Sequence, residues 1–182
     1  DAVGLDASDF MLDRAVAAGG PDACSFVRGD AAALPFADAS FDIALNLFNS
    51  FGYFEDDEAN QRALAETARC LRRGGRFVLE TRNRPHQILY APYHLEVARA
   101  DGSTAIIRSR YDATTHRMCS VWSAPAPDET ELYRAVIRLY GVEELEEMFQ
   151  EAGLVVDQVC SDYDGTEFEG WERVLILVAH RR

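Results

Sequence analysis

Apolar and polar positions along this chain follow two periods, and the shifts between them mark out its elements. Ala2-Val3-Gly4-Leu5-Asp6 is a short apolar run ending on a carboxylate, which predicts a strand with an acid at its carboxyl end. Ser8 can cap the helix that follows, with Leu12, Ala15 and Val16 as its apolar positions and Gly19-Gly20-Pro21 as its stop. Cys24 to Arg28 predicts a second strand, closed by Gly29-Asp30-Ala31. Phe41 to Leu47 predicts a third, apolar enough to be expected buried on both faces. The period then lengthens. From Asp57 to Arg73, Leu64, Ala68 and Leu71 fall on one helical face, with acids at the start and arginines at the end as the helix dipole prefers. Gly74-Gly75 stops this helix, and Arg76 to Thr81 reads as a fourth strand. Such alternation implies right-handed crossovers and a parallel sheet.

The second half changes character. From about His94 to Leu139 the runs are β-rich without intervening helices: Thr104 to Tyr111, Cys119 to Ser123 and Leu132 to Tyr140, with a loop at Ala124-Pro125-Ala126-Pro127-Asp128. An antiparallel insertion over residues 84–141 is expected, lying across one end of the sheet within a single domain of residues 1–182. Val142, Leu145, Met148, Phe149 and Ala152 predict a helix closed by Gly153. Leu154 to Cys160 and Val174 to Ala179 are the last two strands. The short segment between them has no helical pattern, so they are expected to pair as an antiparallel hairpin, with the uninterrupted final strand interior to the sheet.

Composition changes this picture little. The chain has 182 residues, enough for one domain with a real core. No apolar run approaches a membrane span, so no membrane partner is expected. The net charge of −13 argues against a nucleic-acid partner and permits a cationic ligand. The four cysteines, Cys24, Cys70, Cys119 and Cys160, have neither zinc nor disulfide spacing. Cys24 and Cys160 read as buried small hydrophobes, and reduced thiols point to the cytoplasm. No metal site is expected.

The candidate chemistry lies at three successive strand ends: Asp6, then Gly29-Asp30-Ala31, then Leu47 to Tyr53. In a parallel sheet such ends line one crevice. Asp6 can accept from both ribose hydroxyls there. Asp30 can accept from the exocyclic amine of adenine, the backbone N–H of Ala31 can donate to a ring nitrogen, and Met11 can cover the base. The set specifies an adenosine.

These stretches resemble the class I S-adenosylmethionine-dependent methyltransferases. The likeness is carried by Gly4-Leu5-Asp6-Ala7-Ser8, Gly29-Asp30-Ala31 with Leu34-Pro35-Phe36, Ser40-Phe41-Asp42, and Leu71 to Gly75 before a strand. It implies a Rossmann-like α/β sheet and S-adenosyl-L-methionine as cofactor. Asp6, Ala7, Met11, Gly29, Asp30 and Ala31 would hold the nucleoside. The Leu47 backbone would meet the methionine amino group, with Tyr53 closing nearby. Asp-Ala-Ser-Asp-Phe-Met-Leu from Asp6, Asn49-Ser50-Phe51 and Arg82-Asn83 are further similar to glycine N-methyltransferase. That narrower likeness implies that Asn49 and Arg82 hold a carboxylate-bearing small molecule, possible acceptors being amines or amino-acid-like compounds. A guanidinium suits a carboxylate because it binds it by a two-point fork.

The sulfonium methyl is already electrophilic, so alignment and exclusion of water are the main requirements. His86 and His94, where the fourth strand gives way to the insertion, are candidate bases or plain loop histidines. No base is assigned. Tyr111, Trp122, Tyr133 and Tyr140 supply either a substrate lid or core. The family's first strand and its glycine-rich loop have no counterpart here, so the sheet is expected to be N-terminally truncated. A strand–helix unit of roughly 30 or more residues is then expected upstream. The edges flanking the gap should be unpaired and cofactor binding by these residues alone weak. Two rivals stand beside this reading. One is an NAD-type dehydrogenase fragment, against which the Gly29-Asp30-Ala31 turn and the final hairpin count. The other is a non-catalytic relative that binds a nucleotide or a partner.

Overall fold

The computed structural model describes residues 1–19 and 24–182. Gly20 and Pro21, part of the expected helix stop, lie outside the described residues. The element order is β1 (Ala2–Asp6), α1 (Asp9–Ala17), β2 (Cys24–Arg28), β3 (Phe41–Asn46), α2 (Asp57–Cys70), β4 (Leu71–Arg82) and α3 (Arg84–Tyr90). It continues with β5 (Tyr93–Ala98), β6 (Thr104–Asp112), β7 (Arg117–Ser123), β8 (Glu131–Arg138), α4 (Val142–Glu151), β9 (Leu154–Cys160) and β10 (Val174–Arg181).

Three sheets result among the described residues. β1 and β2 form a parallel pair, β3-β4-β10-β9 a mixed sheet, and β5-β6-β7-β8 an antiparallel meander. β3 and β4 are parallel, whereas β10 runs antiparallel to both β4 and β9, as expected for the closing hairpin. The core sits on the mixed sheet. α2 contributes Leu64 and Ala68, α4 contributes Leu145 and Phe149, and β4 and β10 contribute Phe77, Leu79, Leu175 and Leu177, all buried. Phe77 and Phe149 stack with ring centroids 5.5 Å apart, fixing α4 against the sheet. The meander keeps its own smaller cluster of Met118, Ala135, Ile137 and Leu139, with Tyr111 and Trp122 packed on it.

Four expectations need correction. α2 ends at Cys70 rather than Arg73, because Leu71 is already extended and fully buried as the first residue of β4. The glycines at 74 and 75 serve an irregular excursion in that strand, where the pairing of β3 with β4 jumps from Leu71 to Arg76. The β-rich run expected from about His94 is found as β5 to β8, with His94 on β5; α3, which has a proline in its first turn and carries His86, precedes it. β3 is not covered on both faces: Ile43 is 60% and Leu45 62% exposed. Cys24 is only half-buried, whereas Cys160 is buried.

The β1–β2 pair is thinly packed, and α1 has no buried residue. What ties it to the main body is the loop at residues 30–39. The Arg69 guanidinium on α2 donates to the Phe36 and Leu34 carbonyls at 2.8 and 3.0 Å and pairs with Asp38 at 2.7 Å. Glu66 accepts from the Leu34 N–H at 2.9 Å.

Candidate nucleoside and acceptor site

Asp6 and Asp30 are brought together by the parallel pairing of β1 with β2. The register sets Asp6 opposite Arg28, and the Gly29 N–H donates to the Asp6 carbonyl at 3.1 Å. Both acids therefore leave the same end of the pair. Gly29 sits in close quarters: a Cβ there would meet the end of the Leu5 side chain at 2.7 Å and the Pro35 ring at 3.2 Å, so both would have to give a little. Each carboxylate spends one oxygen locally. Asp6 Oδ1 accepts from Ser8 N–H and Asp30 Oδ1 from Ala32 N–H, both at 2.8 Å. These are the turn-forming bonds expected of such aspartates. They hold each carboxylate in a fixed orientation and leave the second oxygen for a ligand. Met11, in the first turn of α1, is half exposed. Ala7 is exposed beside Asp6, and Ala31 is half-buried beside Asp30.

The third strand end is an unusual turn. Phe48 and Asn49 both take positive φ, at 57° and 58°, and Gly52 follows at 95°. Two non-glycine residues in the left-handed region need external support. It comes from β4. Glu80 accepts from the Phe48 N–H at 2.9 Å and from the hydroxyl of Tyr163, a residue of the β9–β10 loop. Asn49 Oδ1 accepts from the Arg82 N–H at 3.2 Å and from the Thr81 hydroxyl at 3.3 Å. Asn49 thus has its carbonyl oxygen committed to the fold, and only its amide N–H groups face other partners. The Leu47 carbonyl already accepts from the Ser50 hydroxyl at 2.9 Å, using one of its two lone pairs. Sequence reasoning missed Glu80. Its signal was a lone acid in the apolar run Phe77-Val78-Leu79.

Arg82 has no carboxylate within 4 Å among the described residues, so its side chain is uncommitted. Tyr53 lies in its field. Burial and the nearby Tyr133 hold the Tyr53 phenol above its ordinary pKa, and Arg82 pulls it down. Tyr133 in turn packs on Trp122 with centroids 5.1 Å apart. Of the four aromatics considered for a lid, only Tyr133, 53% exposed, is available to a ligand. Tyr111 and Trp122 serve the meander's own packing, and Tyr140 is buried in the main core. His86 stacks near Tyr90 at 4.7 Å, and neither His86 nor His94 is joined to a nucleophile.

The insertion is docked by a charged network that no local pattern reveals. Arg138, almost buried, bridges Asp57 at the start of α2 and Glu144 at the start of α4. Arg117 also pairs with Asp57, at 2.7 Å, and donates to the Phe54 carbonyl. Arg84 pairs with Glu144 at 2.6 Å. No group of three or more His, Cys, Asp or Glu side chains is placed to hold a metal ion among the described residues. No helix among them is long and apolar enough to cross a membrane.

A parallel strand pair ending in two acids, followed by a mixed sheet closed by an antiparallel hairpin, defines a Rossmann-like class I methyltransferase fold. Residues 1–79 match the methyltransferase domain family model. A curated relative, the ubiquinone/menaquinone biosynthesis C-methyltransferase UbiE of Roseobacter denitrificans, is 42% identical over 96 residues, 50% of this chain and 37% of that protein. The chain thus spans little more than a third of that relative's length. The CcbJ methyltransferase of Streptomyces caelestis superposes with a TM-score of 0.83 over 98% of this chain and 74% of its own, at 19% identity. SAM-bound CalS10, an amino pentose methyltransferase of Micromonospora echinaspora, superposes with a TM-score of 0.70 over 99% of this chain and 73% of its own, at 22% identity. The chain thus has the fold of the class I S-adenosylmethionine-dependent methyltransferases, and its first 79 residues are similar to their domain model. The narrower likeness to glycine N-methyltransferase gains no support from these relatives.

Proposed function

We propose that this domain transfers a methyl group from S-adenosyl-L-methionine to a small molecule that carries an acid group, with an amine as the accepting atom. The observation that carries the reading is the Gly29–Asp6 backbone bond, which sets two half-committed aspartates at one strand-pair end. The residues present fit the cofactor. The free oxygen of Asp6 accepts from ribose hydroxyls, the free oxygen of Asp30 from the adenine amine, and the Ala31 N–H donates to the ring. Gly29 gives close approach, and Ala7 and Met11 flank the nucleoside. Leu47, with one carbonyl lone pair left, meets the methionine amino group, and Tyr53 stands beside it. The cofactor supplies an electrophilic methyl. The chain's own task is to orient the acceptor and exclude water. Arg82 grips the acceptor's carboxylate as a fork, the Asn49 amide donates beside it, and Tyr53 with Tyr133 forms an aromatic wall. A neutral amine needs no base, which agrees with histidines that touch no nucleophile.

The UbiE relative favours a second reading, methylation at carbon of an activated ring. Arg82 discriminates. In a protein carrying this domain, Asp30→Ala should weaken cofactor binding by about tenfold or more in calorimetry, the size expected for losing a charge-assisted hydrogen bond. Arg82→Ala should raise the Michaelis constant for acid-bearing amines and leave kcat nearly intact. Equal use of ring acceptors lacking an acid, by wild type and variant alike, would favour carbon methylation. Cofactor affinity unchanged in both Asp6→Ala and Asp30→Ala would remove the adenosine assignment and leave the non-catalytic reading.

A further inference from the structure

Glu80 carries a charge that its work in the fold does not need. Its Oε2 accepts from the Phe48 N–H at 2.9 Å and from the Tyr163 hydroxyl, and so supports the left-handed turn at Phe48 and Asn49. The oxygen of a neutral amide would accept the same two bonds. Oε1 accepts from no donor among the described residues, and no cation among them lies within 4 Å of the carboxylate. The bond to Glu80, then desolvation and the Glu80 charge, hold the Tyr163 phenol above its ordinary pKa, so it stays a donor to the carboxylate. A half-buried carboxylate without a counter-charge is costly unless something compensates it.

Arg82 is the matching case, half-buried and with no carboxylate within 4 Å among the described residues. The two residues share one face of β4. Phe77, Leu79 and Thr81 are buried, and Val78, Glu80 and Arg82 alternate with them as half-buried positions. Two residues apart on a strand, their Cα atoms stand about 6.6 Å from each other. Both border the same turn. Glu80 meets Phe48, while Arg82 donates its N–H to Asn49 and brings its charge to bear on Tyr53. The guanidinium and the carboxylate nevertheless do not pair with each other. They offer two opposite charges to one dipolar ligand.

We propose that Glu80 Oε1 binds the amino group of the acceptor while Arg82 binds its carboxylate, which makes the acceptor an amino acid. This rests on the acid-bearing amine reading above and adds the residue that recognises the nitrogen. One N–H of the neutral amine donates to Oε1, leaving the lone pair for the methyl. That lone pair forms the N–C bond, the C–S pair returns to sulfur, and the positive charge moves from sulfur to nitrogen. The nitrogen then releases one proton to solvent. A carboxylate already beside the nitrogen favours the charge where it develops.

Calorimetric titration of a protein carrying this domain, with the demethylated cofactor present, tests it with two probes. N-methylalanine carries both charges, and propionate carries only the acid. Glu80→Gln should weaken N-methylalanine about tenfold, one charge-assisted hydrogen bond being lost, and leave propionate no weaker. Near-ultraviolet circular dichroism should stay native, because the amide still accepts from Phe48 and Tyr163. Arg82→Ala should weaken both probes. The control Glu96→Gln removes the same charge on β5 and should change neither. Unchanged N-methylalanine affinity in Glu80→Gln overturns the proposal and leaves the role of Arg82 standing. Equal weakening of both probes by Glu80→Gln also overturns it, since that marks a displaced turn. If Arg82→Ala spares both probes, or the wild type binds neither, the acid-bearing reading fails and takes the proposal with it.

Discussion

Single residues at the site carry two duties at once, and the divided ones are the informative ones. Asp6 and Asp30 each give one oxygen to a turn and keep the other. The turn bond is what makes the second oxygen useful, because it removes the rotational freedom a ligand would otherwise have to freeze. Asn49 shows the reverse balance, with its acceptor absorbed by the end of β4. Gly52 has the least freedom of all. At φ 95° it already favours glycine, and a Cβ would stand 2.4 Å from the Arg138 carbonyl. The Arg138 N–H also donates to the Gly52 carbonyl at 2.8 Å, so this contact joins the site turn to β8. Gly52→Ala should therefore cost about 3 kcal/mol from strain and displacement together. Thermal unfolding checks this, with a fall of about 6–12 °C expected at this chain size. An unchanged midpoint would show that the turn is free to move off β8.

At the level of elements, the decisive piece is the tether between α2 and the loop at residues 30–39. The Arg69 hydrogen bond holds the Glu66 carboxylate below its ordinary pKa of 4.5, and the Leu34 N–H works in the same direction. A carboxylate whose folded pKa is depressed contributes stability above its unfolded value and loses that contribution as the pH falls through the folded one. The loop should therefore loosen below about pH 4.5. Hydrogen exchange of residues 31–39 followed downwards in pH should show this. Arg69→Met should loosen the loop already at neutral pH and flatten the acid response. If exchange in the loop is the same at pH about 6 and about 3.5, the tether is not what orders it.

For the whole molecule, the β1–β2 pair and the mixed sheet stand apart, and β1 and β3 each have an unpaired edge among the described residues. β3 adds two apolar side chains to that edge, Ile43 and Leu45. An unpaired apolar edge invites another strand. Chains of these 182 residues should self-associate, and Ile43→Lys with Leu45→Lys should lower light scattering at equal concentration and temperature. Scattering unaffected by the pair of lysines would place the sticky surface elsewhere, the exposed Phe10 and Val16 of α1 being the next candidates.

Much of this was readable one residue at a time. Apolar periodicity in Leu64 and Ala68, the acid closing β1, the Gly29-Asp30-Ala31 turn and the uninterrupted final strand are local patterns. Backbone sterics and burial act on them within a few residues, so the order of the other strands and helices, the meander and the strand-end positions of the two aspartates follow from the chain alone, while α3 does not. The rest depends on partners far apart in sequence. Glu80 supports Phe48 across 32 positions, Arg138 reaches Asp57 across 81, and Arg69 reaches the Phe36 carbonyl across 33. No periodicity encodes such pairings, because a charged side chain looks the same in sequence whether it is solvated or bridging two helices. Only the folded arrangement decided that Asn49 is half-committed, that Arg82 is free, and that Glu80 supports the turn through one oxygen.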